Sequence, residues 1–213
     1  GFVIGKKSVL VVDSMGSPAR GEELVREIRR VTDKPISHLV LTHWHYDHSV
    51  GDQAFPAATS ILATESAAKC LRERLEADRI LLGPGGGMHA TVSIAKVRNA
   101  AEILTGEREI DLGELIVKIS PVGQAHTDGD LVVYVPAEKV LYAGDLVWNE
   151  VHPNLTEGST FKWIAGLAAL AFAGQAAAAP TVMSLDSCAD QYVLALSPRA
   201  AIVGLAARAD DRD

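Results

Sequence analysis

A short cluster of metal-ligand residues, placed directly after a buried strand, constrains this sequence more than any other feature. The segment His38–Thr42 is predicted to be a buried strand, and the hexapeptide HWHYDH follows it at once, with His43, His45, Asp47 and His48 within six residues. A strand end is a rigid platform, and the loop after it lets several side chains converge on one point. Neutral imidazole suits zinc and other borderline first-row ions, and a carboxylate completes the charge balance. The cluster therefore predicts a metal site.

Two further residues support this prediction by their positions. His126 lies in the loop GQAHTDGD between two strand-like runs, and Asp145 lies in LYAGDLVW just after a strand. Each signal is weak alone, because a histidine in a loop and a Gly-Asp pair at a turn are both common. Since both residues follow strands, a shared sheet edge could bring them to the first cluster.

Composition narrows the class of protein and its partners. The chain has 213 residues, 48% of them apolar, so it is long enough to fold as one domain without needing disulfides. We predict a single domain over 1–213 whose segment 164–213 is atypical. The 20 Lys and Arg residues against 27 Asp and Glu give a net charge of -7, which disfavours a nucleic-acid partner bound through a basic face. A small-molecule substrate is expected, and the oligomeric state is not determined.

The order of predicted elements indicates a layered α/β protein with mixed sheets and interspersed helices. Phe2–Ile4 and Val9–Val12 are predicted to form a hairpin, and the β elements look antiparallel in clusters. The other predicted strands are Ser60–Ala63, Glu109–Ile119, Asp130–Val135 and Lys139–Ala143, and the predicted helices are Gly21–Val31 and Glu65–Arg79.

The C-terminal segment changes character. Ile164–Leu185 carries no charged residue and is dominated by alanine and glycine. We predict a buried helix and no membrane span, because alanine is only marginally apolar and both Gln175 and Pro180 interrupt the run. Strands are expected at Tyr192–Leu196 and Ala201–Val203. The sequence favours a soluble protein of the bacterial cytoplasm or periplasm and does not choose between these compartments.

Together these segments resemble the metallo-β-lactamase superfamily. The hexapeptide from His43 to His48 matches the family's HxHxDH motif, and the strand ending at Asp13, the segment from Gly123 to Asp130 and the segment Ala143-Gly144-Asp145 follow in the family's order. The resemblance covers roughly Phe2 to Leu170. It implies an αβ/βα four-layer sandwich, in which two mixed β-sheets are flanked by helices and a metal site lies at one edge.

The resemblance also implies a binuclear zinc site. A first ion would be bound by His43, His45 and His126, a second by Asp47 and His48, and Asp145 would bridge the two. A hydroxide held by such ions is nucleophilic at neutral pH, because coordination lowers the pKa of water to about 7. Asp47 would be the catalytic residue that holds this hydroxide and moves its proton.

One ligand of the family pattern is missing. Family members usually supply a further histidine to the second ion from a turn near the C-terminus, whereas this chain has no histidine after His152, and Leu205 stands near the expected position. Three interpretations follow. The second ion is weakly bound or absent, a residue such as Cys188 or a C-terminal aspartate substitutes, or the tail is not the one with which the fold evolved.

The resemblance implies a hydrolase and leaves the substrate open. His48 and Asp145 together point to the glyoxalase II-like and general hydrolase branches, so we expect cleavage of an ester, thioester, lactone or lactam-type bond. One alternative is a mononuclear iron dioxygenase of the persulfide type, with ligands at the positions of His43, His126 and Asp145. Another is a catalytically impaired metal-binding member.

Four other residues are candidates for a supporting role. Asp13 ends a strand and is expected to orient a ligand histidine or to serve as a turn residue. Tyr46 lies between ligands, where packing is the better interpretation than substrate contact. Trp148 and Asn149 follow Asp145 and are candidates to line the pocket.

Overall fold

The computed structural model describes residues 1–82, 95–148, 152–175 and 181–183. They form two compact units, each of which contains one five-stranded sheet. The first unit is built from Phe2–Thr105 and Leu112–Glu114. The second is built mainly from Gly106–Asp111 and the described residues from Leu115 onward.

The sheet of the first unit carries the predicted N-terminal hairpin at its edge. In sheet order its strands are β1 (Phe2–Ile4), β2 (Val9–Val12), β3 (Ile36–Val40), β4 (Ser60–Thr64) and β5 (Glu102–Leu104). β1 and β2 are antiparallel, whereas the pairs β2–β3, β3–β4 and β4–β5 are parallel. The expectation of antiparallel clusters was therefore wrong here, because long connections, two of them containing helices of several turns, return the chain to the same end of the sheet.

The helices of this unit begin and end close to the predicted bounds. They are α1 (Pro18–Val31), α2 (Tyr46–Ser49) and α3 (Glu65–Leu82). The start of α1 is one turn earlier than predicted, since the Ser17 side chain accepts a hydrogen bond from the Arg20 N–H and proline occupies the first turn. A core between sheet and helices holds Val11, Leu39, Ile61 and Leu71, among others.

The second sheet is mostly antiparallel. Its strands are β6 (Arg108–Asp111), β7 (Ile116–Gly123), β8 (Asp130–Val135), β9 (Val140–Tyr142) and β10 (Thr181–Met183), in the sheet order β10-β9-β8-β7-β6. Only β10 is parallel to its neighbour. The single strand predicted over Glu109–Ile119 is two strands, because the chain turns at Gly113 and Glu114, which have φ of +88° and +60°.

Helix α4 (Thr160–Gln175) is the C-terminal helix of the described chain. The prediction of a buried helix from Ile164 onward was wrong for the first turn of that run, because Ile164 is 62% exposed and Ala165 and Ala168 are exposed as well. No helix in the described ranges is long and apolar enough to cross a membrane. The strands predicted at Tyr192–Leu196 and Ala201–Val203 lie outside the described residues.

Each unit thus has a mixed sheet with helical cover. The first sheet combines one antiparallel pair with three parallel pairs and packs against α1 and α3, and the second combines one parallel pair with three antiparallel pairs and packs against Trp163 of α4. This agrees with the predicted α/β class with two mixed sheets flanked by helices.

Candidate metal centre

The histidine cluster of the first unit lies where the chain leaves β3 and enters α2. His43 and His48 are buried, His45 is half-buried, and the Asp47 side chain is 51% exposed. Trp44 packs in the core, and the Ser49 hydroxyl donates to the backbone carbonyl of His45 at 2.7 Å. The segment is therefore held by packing and by its own hydrogen bonds.

Asp13, at the end of β2, organises this cluster. One carboxylate oxygen, Oδ1, accepts from the Thr42 N–H at 2.7 Å, and Oδ2 accepts from the Thr42 hydroxyl at 2.8 Å and from His48 Nδ1 at 2.9 Å. Asp13 has a φ of +60°, in the left-handed region that aspartate tolerates better than most residues. The carboxylate is buried, and its Oδ2 contacts the ring of His48, one of the predicted ligands.

For neutral rings, these hydrogen bonds assign the nitrogen that carries the proton in His48 and His43. The Asp13 carboxylate can only accept, so the neutral His48 ring is protonated at Nδ1 and has a lone pair at Nε2. The Thr42 hydroxyl uses its hydrogen on Asp13, so it accepts from Nδ1 of His43, 3.1 Å away. His43 likewise keeps its lone pair at Nε2, which lies 3.1 Å from Nδ1 of His45.

The second unit contains the other two predicted ligands of the first ion. His126 lies in the loop between β7 and β8 and is buried, and the side chain of Asp145 is 12% exposed. Asp145 follows β9 through Gly144, whose φ of +52° suits a residue without a side chain. His126 Nδ1 lies 3.1 Å from the carbonyl oxygen of Asn154, which fixes Nδ1 as the donor.

The facing atoms of His126 and Asp145 fit a cation. In the neutral ring the lone pair is then on Nε2 of His126, which lies 3.4 Å from Oδ2 of the Asp145 carboxylate. Two acceptors at this distance repel each other unless a proton or a metal ion is bound near both. A neutral imidazole and a carboxylate are also the donor types that zinc and iron(II) take in proteins.

The loop that carries His126 is held by Asp130. Its Oδ2 accepts from the Ala125 and Thr127 N–H groups, at 3.1 and 2.8 Å, and Oδ1 accepts from the Thr127 hydroxyl. Burial raises the pKa of the Asp130 carboxyl, and the hydrogen bonds from Thr127 oppose this rise. Asp130 belongs to the recognised motif, yet its role and that of Thr42 were missed, because each acts through a hydrogen bond that no spacing pattern encodes.

The remaining candidates occupy different environments. Tyr46 is half-buried and packs against the core of the first unit, in agreement with the packing interpretation. The Trp148 indole N–H donates to the backbone carbonyl of Asp145, and its ring centroid is 5.8 Å from that of His126. Asn149 lies outside the described residues.

Curated proteins with similar sequences are longer than this chain. The chain is 27% identical over 162 residues to the 2,4-dinitroanisole O-demethylase subunit alpha of Nocardioides sp. (strain JS1661), covering 75% of this chain and 43% of that protein. It is 23% identical over 195 residues to the linear primary-alkylsulfatase of Pseudomonas sp. (strain ATCC 19151), covering 76% and 37%. The chain therefore spans less than half the length of these relatives.

Solved structures share the fold. The metallo-beta-lactamase from Pontibacter korlensis superposes with a TM-score of 0.68 at 20% identity, covering 86% of this chain and 76% of that one. The metallo-beta-lactamase FIM-1 from Pseudomonas aeruginosa, in its mono-zinc form, gives a TM-score of 0.64 at 18% identity, covering 86% and 73%. These likenesses confirm the predicted fold class.

The family assignment rests on the sequence as a whole. The family model described as the metallo-beta-lactamase superfamily matches residues 1–201, which is most of the chain. The match includes the histidine cluster and both segments that supply His126 and Asp145. The chain belongs to the metallo-beta-lactamase superfamily.

Proposed function

We propose that this protein is a metal-dependent hydrolase that cleaves an ester, thioester, lactone or lactam-type bond. The observation that carries the proposal is the hydrogen-bond partner found at Nδ1 of two of the candidate ligand histidines. In both His43 and His126, a hydrogen-bond acceptor next to Nδ1 leaves Nε2 as the nitrogen with a lone pair. Preset tautomers of this kind are typical of histidines that bind metals.

We infer that His43, His45, His126 and Asp145 hold one zinc ion. Support comes from the family membership and from the chemistry of these side chains, a group that could hold a metal ion. Imidazole nitrogens with a single carboxylate suit zinc, and iron is the alternative with the same ligands. When bound, the ion would lower the pKa of a coordinated water and polarise the bond to be cleaved.

The chain's own residues have separate roles in this proposal. Asp47 is exposed enough to meet a substrate and accepts a proton at its carboxylate from the attacking water, then passes it to the leaving group. Asp13 holds His48 directly and His43 through Thr42, so it is a positioning residue. Trp148 lies against His126 and shields it from solvent.

We propose that the second ion binds more weakly than the first. Its ligands would be Asp47, His48 and the bridging Asp145, and the sequence has no histidine after His152 to complete the set. Nε2 of His48 lies 3.6 Å from Oδ2 of Asp47, so two donors are already adjacent. The mono-zinc form of FIM-1 is a precedent within the fold for one ion at such a centre.

The activity can be tested on the zinc-loaded chain with p-nitrophenyl acetate, a simple thioester and a simple lactone. The names of the curated relatives, an O-demethylase and an alkylsulfatase, add an aryl methyl ether and an alkyl sulfate to this panel. We expect turnover of at least one ester-type substrate and a loss of about 100-fold or more in His126→Ala and Asp145→Asn, because removal of a metal ligand removes the nucleophile.

The exposed His152 gives a matched control. His152→Ala should retain the activity, since it removes an imidazole of the same unit without touching the predicted ligands. Full zinc occupancy with no turnover of any substrate would favour the impaired member instead. The dioxygenase is the second candidate, because it would need only one metal ion and the chain lacks the second-site histidine. Purification with one iron per chain and oxidation of a glutathione persulfide would favour it.

A further inference from the structure

An apolar cavity of about 320 Å³ lies in the second unit, and two of its lining residues, Trp148 and Trp163, have rings close to that of His126. The residues that line it include Leu146, Trp148, Leu155, Trp163, Ile164 and Leu167. Thr160 is the one polar residue among the described residues of its wall, and none of these residues is charged. A cavity of this size and character is typical of a small-molecule site.

Two tryptophans connect the cavity to the proposed metal ligands. The ring centroids of Trp148 and Trp163 are 5.8 and 5.3 Å from that of His126. Their indole N–H groups donate to the backbone carbonyls of Asp145 and Leu146, so the polar atom of each ring already has a partner within the protein. The cavity therefore presents apolar ring surface immediately next to a ligand histidine.

The rim of the cavity is unusually apolar for an exposed surface. Ile164 and Leu155 are 62% and 49% exposed, and the neighbouring Phe161 is 88% exposed. Large apolar side chains grouped at the mouth of an apolar cavity indicate a binding site more than a packing accident. The described residues of the cavity wall offer no cation or hydrogen-bond array for a charged or sugar-like group.

We propose that this cavity binds the apolar chain of the substrate, so that the enzyme prefers esters or thioesters of medium-chain acids or alcohols. The inference rests on the proposed hydrolase function and names its substrate class. A water-sized group occupies roughly 30 Å³, so the cavity has room for about ten such groups. Chains of roughly six to ten carbons should therefore fill it.

The first test is the dependence of kcat/KM on acyl length for p-nitrophenyl acetate, butyrate, hexanoate and octanoate, with zinc-loaded protein. Each methylene that enters the cavity should raise kcat/KM about threefold to fourfold, because burying one CH₂ group favours binding by roughly 0.8 kcal/mol. Equal kcat/KM for all four esters would overturn the inference and leave the hydrolase function standing.

A rim variant tests whether this cavity is responsible. Ile164→Asp places a charge at the mouth and should abolish most of the preference for octanoate over acetate, measured as the ratio of their kcat/KM values. Ile103→Asp is the matched control, because Ile103 is 45% exposed, belongs to β5 of the first unit and does not line the cavity. Loss of the chain-length preference in the control alone, or in both variants, would contradict the assignment.

Binding can be measured without any turnover. Titration with 1-octanol should change the intrinsic tryptophan fluorescence of the full chain, with or without zinc, whereas ethanol at the same concentration should not. Octanol binding without ester hydrolysis would support the cavity and count against the proposed function. If octanol does not bind and Ile164→Asp instead converts a dimer to a monomer, the apolar rim is a self-association surface and the inference is wrong.

Discussion

Asp13 shows how one buried carboxylate can set the chemistry of several histidines. It accepts two hydrogen bonds from Thr42 and one from His48, and through the Thr42 hydroxyl it determines the tautomer of His43. Both rings therefore present Nε2 to a ligand. In the proposed metal centre, Asp13 would thus orient two of the ligand histidines without touching the ion.

We predict that Asp13→Asn weakens zinc binding about 10- to 100-fold although the substitution is nearly isosteric. The amide NH₂ would donate to His48 Nδ1 and to the Thr42 hydroxyl, so the proton of each neutral imidazole would move to Nε2, where it blocks coordination. Zinc affinity can be measured by competition with a chromophoric chelator, with circular dichroism to establish folding. Asp33→Asn makes the same exchange at an exposed position and should leave the affinity unchanged. An unaltered affinity in Asp13→Asn would refute the tautomer argument.

At this scale the sequence identified candidate ligands more readily than the residues that would orient them. His43, His45, His126 and Asp145 were recognisable because they belong to a motif with ordered spacing. Thr42 and Asn154 were not, since a hydroxyl and a backbone carbonyl act through their positions in space. Asp13 was identified only as one of two alternatives, because a strand-ending aspartate is equally common at an ordinary turn.

At the scale of elements, strands were easier to predict than their ends and their exposure. β2, β3, β4 and β8 are short apolar runs, and the structure contains all four. The run Glu109–Ile119 was predicted as one strand because its apolar residues continue on both sides of Gly113. The chain turns there with a positive φ, which the pattern of apolar residues does not reveal. For α4, alanine-rich composition predicted burial, whereas the exposure of Phe161 and Ile164 depends on which side the sheet covers.

One short turn of the first unit contains a second unusual carboxylate. Asp52 begins the 3-10 turn Asp52–Ala54, and its Oδ2 accepts from the Arg98 N–H at 2.8 Å. Its Oδ1 is buried with no hydrogen-bond partner among the described residues. Burial raises the pKa of Asp52 to about 7, although the N–H of Arg98 opposes this rise. The Arg98 guanidinium in turn donates to the carbonyls of Phe55 and Thr59, so the turn and the segment around Arg98 support each other.

The raised pKa makes the stability of the protein depend on pH. The carboxyl ionises near 3.8 in the unfolded chain and near 7 in the folded one, so the folded state holds the extra proton between these values. The contribution of the protonated Asp52 carboxyl to the free energy of unfolding is therefore fully present below about pH 4 and is lost as the pH rises to about 7. The amide of Asp52→Asn does not titrate, so the variant does not lose this stabilisation. We predict that the unfolding free energy of Asp52→Asn, measured relative to the parent, increases by roughly 2–3 kcal/mol from pH 5 to pH 8.

Urea unfolding of both proteins at pH 5 and pH 8 checks this prediction. The comparison cancels the titration of every other group, since the two proteins differ only at Asp52. Asp33→Asn, at an exposed site, should run parallel to the parent at both pH values. If the difference between Asp52→Asn and the parent is the same at pH 5 and pH 8, the carboxyl is ionised throughout and its pKa is not raised.

At the scale of the whole molecule, the family match and the ligand pattern diverge at one place. The match runs over residues 1–201, so the C-terminal region follows the family model even though it has no histidine after His152. The region in which a substitute ligand would lie, including Cys188 and Leu205, is outside the described residues. The number of zinc ions bound per chain consequently shows whether the second site is weak or whether another residue of the tail replaces the missing histidine.

We predict one tightly bound zinc per chain and a second that binds at least about 100-fold more weakly. The first ion has three imidazoles and a carboxylate available, whereas the second has one imidazole and two carboxylates, one of them shared, and loss of a ligand-type contact weakens metal binding by one or more orders of magnitude. Isothermal titration of metal-stripped chain, with elemental analysis after dialysis, measures both affinities. His126→Ala should abolish the tight site and His48→Ala the weak one, with His152→Ala binding as the parent does. Two equally tight ions in the parent would mean that a residue of the tail replaces the histidine, and binding of no zinc at all would exclude the proposed centre.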